Sequence, residues 1–250
     1  MEIKFNIESW AALAPGLNSE DEWIEWLNSP SPLTEPFETP SLKGVPPLLR
    51  RRFNLIGRFA MGAILNLLDT DDTIPCVFAS RHGDTTLTLD LLESMGKNEA
   101  MSPTNFSLAV HNAVSGLYTI ARKNTQPVTA IAATKGLTIN ALFEAIGQCQ
   151  AADRILCLIY DAPLPKLYQS YCSSEPFPYA IAMIINKNQG VPYKITCSEE
   201  DKTPDISNKA KTEFLPFLSL LTQQSSSMVF HYQASPYKIT RLDTDAASQA

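Results

Sequence analysis

The stretch Ile155-Leu-Cys-Leu-Ile-Tyr160, bounded by Arg154 and Asp161, is apolar at every position. A half-buried strand alternates apolar and polar residues. A strand that is apolar throughout has to be covered on both faces. Arg154–Asp161 therefore reads as an inner strand of a sheet with helices on both sides, and the rest of the chain must supply those helices.

It does so in alternation. Met1–Glu8 places Ile3, Phe5 and Ile7 on one face, as a half-buried strand does. Glu20–Leu27 reads as a short helix capped by Ser19, with Trp23 and Trp26 on one side. Residues 29–47 carry six prolines and form a loop. Leu48–Leu68 is expected to be one long helix in which Gly57 and Gly62 permit close packing. Pro75–Ala79 is a short strand, and Gly83–Met95 a helix capped by Asp84. Ser102-Pro103 opens a further helix, a capping hydroxyl followed by proline, expected to run to Ile120 or Arg122 and to be buried because it is so poor in charge. Val128–Ala133 is a strand and Leu137–Gln150 a helix. Later come the strand pair Tyr179–Ile185 and Pro192–Cys197, a polar loop over Glu199–Lys209, a helix over Thr212–Leu221 kinked at Pro216, and a last strand pair, Met228–Gln233 and Tyr237–Leu242. The fold class is α/β, a mixed sheet covered by helices. With 250 residues, 44% of them hydrophobic, one domain over residues 1–242 is expected, with a disordered tail at 243–250.

Charge and spacing exclude several functions. The net charge is −6 and no long segment is dominated by lysine or arginine, which argues against nucleic acid as a partner. The one basic cluster, Arg50-Arg51-Arg52, reads as a solvated helix face. The opening MEIKFNIESW is a strand with charges and not a signal peptide, and no window approaches the ~18 apolar residues that span a bilayer. The five cysteines are odd in number without CxxC spacing, which suits reduced thiols in the cytoplasm. His82, His111 and His231 are far apart, so neither a metal nor another cofactor is indicated.

Three places carry reactive residue types. Ser80-Arg81-His82-Gly83-Asp84 follows a strand and precedes a helix. Residues so close in sequence rarely form a catalytic triad, so Asp84 reads as a cap and Arg81 and His82 as packing or hydrogen-bonding groups. His111 and Asn112 read as core residues whose polar atoms find partners. The third place is residues 130–145, AIAATKGLTINALFEA: a buried strand, a tight turn and a helix. Such a turn aims backbone N–H groups at whatever sits on it, and the helix N-terminus stabilises negative charge there. Enzymes seat nucleophiles in this way, yet the turn carries Lys135, a cation at the wrong end of the dipole. A lysine can act as a nucleophile or base when buried, or simply project into solvent.

Residues 101–145 resemble the centre of the beta-ketoacyl synthases, the thiolase-like condensing enzymes. Met101-Ser102-Pro103 resembles the start of the family's helix, Asn112 and Gly116 its N-x-x-x-G element, Pro127 the proline of the following loop, and Ile131-Ala132-Ala133-Thr134 the strand that delivers the nucleophilic cysteine. On this register Lys135 stands at the cysteine's position, and neither neighbour is a thiol. The resemblance implies a thiolase-like layered fold truncated to about one half, without the half that carries the family's two histidines.

The resemblance extends to SWAALAPGL, to LRRRFNLIGRFAMG and to FASRHGDTTLTLDLLESM, segments similar to the short chain length factors of aryl polyene clusters. That group implies a non-catalytic subunit paired with an active ketosynthase, stabilising it and bounding its acyl pocket. Acyl carrier protein would be reached indirectly through the complex. Thr104, Asn105, Phe106, Ala109, Val110 and Ala113 are the residues the resemblance places at the subunit interface and acyl pocket, with Phe106 as a wall. The alternatives are a stand-alone hydrolase or acyltransferase using Ser80 or Lys135, and a homodimeric binder of acyl chains.

Overall fold

In the computed structural model residues 1–197, 212–232 and 235–242 are described. The expected loop at 199–209 and the tail at 243–250 lie outside them, as does Gln233. In chain order the elements are β1 (Glu2–Leu13), α1 (Glu20–Asn28), α2 (Pro47–Arg50), α3 (Leu55–Leu65), β2 (Cys76–Ala79), α4 (Thr85–Gly96), α5 (Pro103–Leu108) and α6 (Ala113–Arg122). They continue as β3 (Val128–Ile131), α7 (Leu137–Gln148), β4 (Arg154–Asp161), β5 (Tyr179–Asn186), β6 (Val191–Cys197), α8 (Phe214–Leu221), β7 (Ser227–Tyr232) and β8 (Ser235–Arg241).

All eight strands join one sheet in the order β3-β2-β4-β5-β1-β6-β8-β7. The first three run parallel and the rest pair antiparallel. β4 shows why it is apolar at every position. Ile155, Cys157 and Ile159 enter a cluster built with α7 and α8, whereas Leu156, Leu158 and Tyr160 enter a cluster built with α3 and α6. Burial drives the Cys157 thiol up to about 12, so it behaves as a small apolar side chain.

α1 begins with a capping box, in which Ser19 accepts from the Glu22 amide and Glu22 reaches back to the Ser19 amide. Gly62 of α3 lies so close to the N-terminal strand and the proline loop that a Cβ there would sit 2.8 Å from Leu13 Cδ1 and 2.8 Å from Pro40 Cβ.

Four expectations are corrected. The helix expected over Leu48–Leu68 is two, because Asn54 turns its side chain to the Gly57 amide and starts α3 afresh. The helix expected from Ser102 to Arg122 also breaks, at residues 109–112, where Val110 and Asn112 are weak helix formers. Pro216 lies in the first turn of α8, where its missing N–H costs no intrahelical bond. β1 runs on to Leu13 through an irregularity between Ile7 and Ser9 that upsets the alternation. Among the described residues no helix is long and apolar enough to cross a membrane.

Candidate functional site

The carboxyl ends of β2, β3 and β4 lie side by side, the place where open α/β sheets gather their functional groups. Ser80, just past β2, is fully buried. Its Oγ donates to Asp161 Oδ1 at 2.8 Å and accepts from the Gly83 amide at 2.9 Å. Asp161 also accepts from the Arg81 and His82 amides. Burial pushes its carboxyl up to about 6 against the opposing pull of these donors. His111 Nε2 lies 3.0 Å from the Ser80 carbonyl oxygen, not from its hydroxyl. Ser80 is thus tied down as a fully buried loop anchor, and its hydroxyl lacks the histidine contact of a Ser-His-Asp arrangement.

The next loop residues continue the network. Asp84 caps α4 through the Leu87 amide and accepts from Asn54 Nδ2. Burial raises the Asp84 carboxyl and lowers the His82 imidazole. His111, expected in the core, is half-buried, and Asn112 is exposed and forms no side-chain cap for α6. A cleft of about 310 Å³, counting space open to solvent, lies among Arg52, Asn54, Asp84, His111, Val114 and Tyr160.

The turn between β3 and α7 has the expected strand–turn–helix form, but the strand is not buried as expected: β3 lies at the end of the sheet order, with Ala130 exposed and its other residues partly buried. Lys135 is exposed, and among the described residues it forms no ion pair. Gly136 takes the left-handed conformation (φ +66°) at the head of α7, a conformation that glycine adopts without a Cβ penalty. Having no side chain, Gly136 gives the helix no cap of its own. Glu213, immediately before α8, supplies one: its Oε2 accepts from the Thr138 amide at 2.9 Å. Nothing in the local pattern around residue 137 signals this contact, which joins residues 75 apart.

The six residues expected at a partner surface all lie on or beside α5 and the turn into α6, and none is buried. Thr104 and Asn105 are exposed, Phe106 is 60% exposed and Val110 48%, and Ala109 and Ala113 are partly exposed. This corrects the expectation of a buried helix: α5 contributes no fully buried residue, touching the core only through the partly buried Leu108, whereas α6 enters it through Val114, Leu117 and Tyr118. The outward side of α6 carries Gly116 and Ile120, with nothing near the place where a Gly116 Cβ would be. Among the described residues β3, the first strand of the sheet order, has a neighbouring strand on one side only. Among the described residues no group of three or more His, Cys, Asp or Glu is arranged to hold a metal.

The profile of the beta-ketoacyl synthase N-terminal domain matches residues 23–238, nearly the whole chain. The chain belongs to the beta-ketoacyl synthase N-terminal domain family. No curated protein sequence matches this family member. Among solved structures, it resembles a chain of the ketosynthase ApeO in complex with its chain length factor ApeC from Xenorhabdus doucetiae. The TM-score is 0.78 and the identity 24%, over 96% of this chain and 100% of that one. The ishigamide ketosynthase/chain length factor matches with a TM-score of 0.69 and 11% identity, over 96% and 99% of the two chains. A chain of the AntDE:AntF complex, a type II polyketide synthase acyl-carrier protein with its ketosynthase, matches with a TM-score of 0.59 and 11% identity, over 96% and 99%. At these identities the likeness is one of fold, and the fold of this ketosynthase-family chain is the thiolase-like α/β arrangement.

Proposed function

We propose that this chain is a non-catalytic chain length factor that pairs with an active beta-ketoacyl-[acyl carrier protein] synthase in polyene or fatty-acid-like biosynthesis. One observation carries the reading: the large apolar side chains Phe106, Val110 and Ile120 are exposed on α5, the turn after it and α6, and among the described residues the edge strand β3 has a neighbouring strand on one side only. Exposed apolar area of this kind marks an interaction site, and a bare edge invites pairing. The solved neighbours named as ketosynthase/chain length factor complexes support the same reading.

In this account Thr104, Asn105, Phe106, Ala109, Val110 and Ala113 face the catalytic subunit. Phe106 closes the acyl pocket and the two alanines leave room in it. Acyl carrier protein reaches the complex through the catalytic subunit, since this chain is itself acidic. Lys135 occupies the vacated nucleophile position, so condensation belongs to the partner. The alternative of a stand-alone hydrolase or acyltransferase has little to draw on. Ser80 is locked to Asp161, and Lys135 is exposed without an ion-pair partner among the described residues.

The test is co-purification with a ketosynthase of the same organism. The wild type should carry the ketosynthase through affinity and size-exclusion steps, and Phe106→Asp should lose it while remaining folded. Equal recovery with both would remove the surface from the account, and no recovery with either would remove the pairing itself.

A further inference from the structure

The head of α7 is a place suited to hold negative charge, and it is occupied by the chain's own carboxylate, Glu213. α7 has 12 residues and no cap from its leading residue, Gly136. The first amides of a helix have no intrahelical acceptor, and a buried one needs an acceptor from elsewhere in the protein. Thr138 is only 2% exposed, so its amide depends on such an acceptor, which Glu213 Oε2 provides.

Glu213 is not a wandering surface side chain. The next residue, Phe214, is buried and stacks on Tyr179 with ring centroids 3.9 Å apart. It also meets Trp23 and Phe177 edge-on. Phe217, Leu218, Leu220 and Leu221 then bury α8 in the core. On the other side, Thr212 donates to Glu175. The backbone that carries the Glu213 carboxylate is therefore fixed on both sides.

We propose that Glu213 is a built-in counter-charge that closes the anion seat at the head of α7, so that returning a thiol to position 135 does not by itself restore an activated nucleophile. The electrostatics follow from the partial charges. A helix N-terminus carries roughly half a positive charge, and a full carboxylate more than cancels it. A thiolate beside that turn would meet a net negative neighbour in place of an uncompensated dipole, and like charge disfavours ionisation. The cysteine is missing, and the feature that would have activated it has become a joint between α7 and α8. The inference rests on the register that puts Lys135 at the vacated nucleophile position, and it involves no partner subunit.

The test uses the full chain with Cys172 and Cys197, the two partly exposed native thiols, replaced by serine. Lys135→Cys is introduced with Glu213 intact and together with Glu213→Gln, which keeps an acceptor for Thr138 but removes the charge. The pH dependence of alkylation by iodoacetamide is then measured. With Glu213 intact the introduced thiol should titrate at or above the free-cysteine value of about 8.5. With Glu213→Gln it should titrate lower, making alkylation at pH 7 roughly threefold to tenfold faster. Should Glu213→Gln fail to fold, Lys135→Cys with Glu213 intact still decides, because a thiol titrating well below about 8.5 there overturns the proposal. A thiol that is already acidic beside Glu213, or one with the same profile in both backgrounds, would overturn the proposal. Either result leaves the pairing with a ketosynthase to its own co-purification test.

Discussion

The Ser80 hydroxyl donates to the Asp161 carboxylate across 2.8 Å, joining the loop after β2 to the end of β4. The same loop meets His111 through the Ser80 carbonyl, and Asn54 through Asp84. One buried carboxylate thereby sets the position of the α4 cap and of the α5–α6 turn, next to the proposed partner surface.

Asp161 should make stability depend on pH in an unusual direction. Its folded-state value of about 6 is above the ordinary carboxyl value, so the folded state binds this proton more tightly than the unfolded state does. Its contribution is fully present below about pH 4 and is lost as pH rises through about 6. Relative to Asp161→Asn, the wild type should gain up to ~3 kcal/mol between pH 7 and pH 4. Urea unfolding of both proteins across that range measures it, and a constant difference would refute it.

Ser80→Ala should act on stability. It removes one of the three donors to Asp161, the Arg81 and His82 amides remaining, and the acceptor for the half-buried Gly83 amide, at a cost of about 1–3 kcal/mol. Chemical denaturation should show this loss. The activity of a reconstituted ketosynthase complex, assayed at a temperature where the variant is folded, should be retained.

Gly62→Ala should destabilise by about 1–3 kcal/mol through overpacking, since the new methyl would sit 2.8 Å from both Leu13 and Pro40. Gly57→Ala should cost less, because its nearest neighbour, at 3.1 Å, is a side-chain atom of Phe53. A comparison of urea midpoints tests the order.

Gly116→Leu separates folding from pairing. Nothing lies within 4 Å of the added Cβ, and removing a mid-helix glycine favours the helix by up to about 1 kcal/mol. The isolated chain should melt at the same temperature or slightly higher, while recovery of the ketosynthase in co-purification falls at least tenfold. Undiminished recovery would mean that the outer side of α6 is not covered in the complex.

The sequence makes some of this structure plain and hides the rest for identifiable reasons. β4 can be read directly because burial on two faces demands an apolar residue at every position. The strand–turn–helix around Lys135 is legible because small residues and Gly136 mark the turn. The breaks at 51–54 and 109–112 are not, because apolar residues continue across them; the first turns on one side chain, Asn54 to Gly57, and the second on the modest helix propensity of Val110 and Asn112. β1 reads as ending at Glu8 because the irregularity there reverses the faces of the residues beyond it. There Glu8 binds the Arg154 guanidinium through both carboxylate oxygens, a contact that no local periodicity reveals. Charge-poor composition suggested a buried α5, whereas Phe106 and Val110 are exposed. Composition alone does not separate an exposed apolar surface from a core. Glu213 capping α7 and Asp161 anchoring Ser80 arise only when the sheet brings distant segments together.

The most direct measurement of the central claim is the mass, by multi-angle light scattering, of this chain purified alone and after co-expression with a ketosynthase of the same organism. The account predicts a stable one-to-one complex of the two proteins, with condensing activity that survives Lys135→Ala. A monomer whose mass is unchanged by the ketosynthase would contradict it.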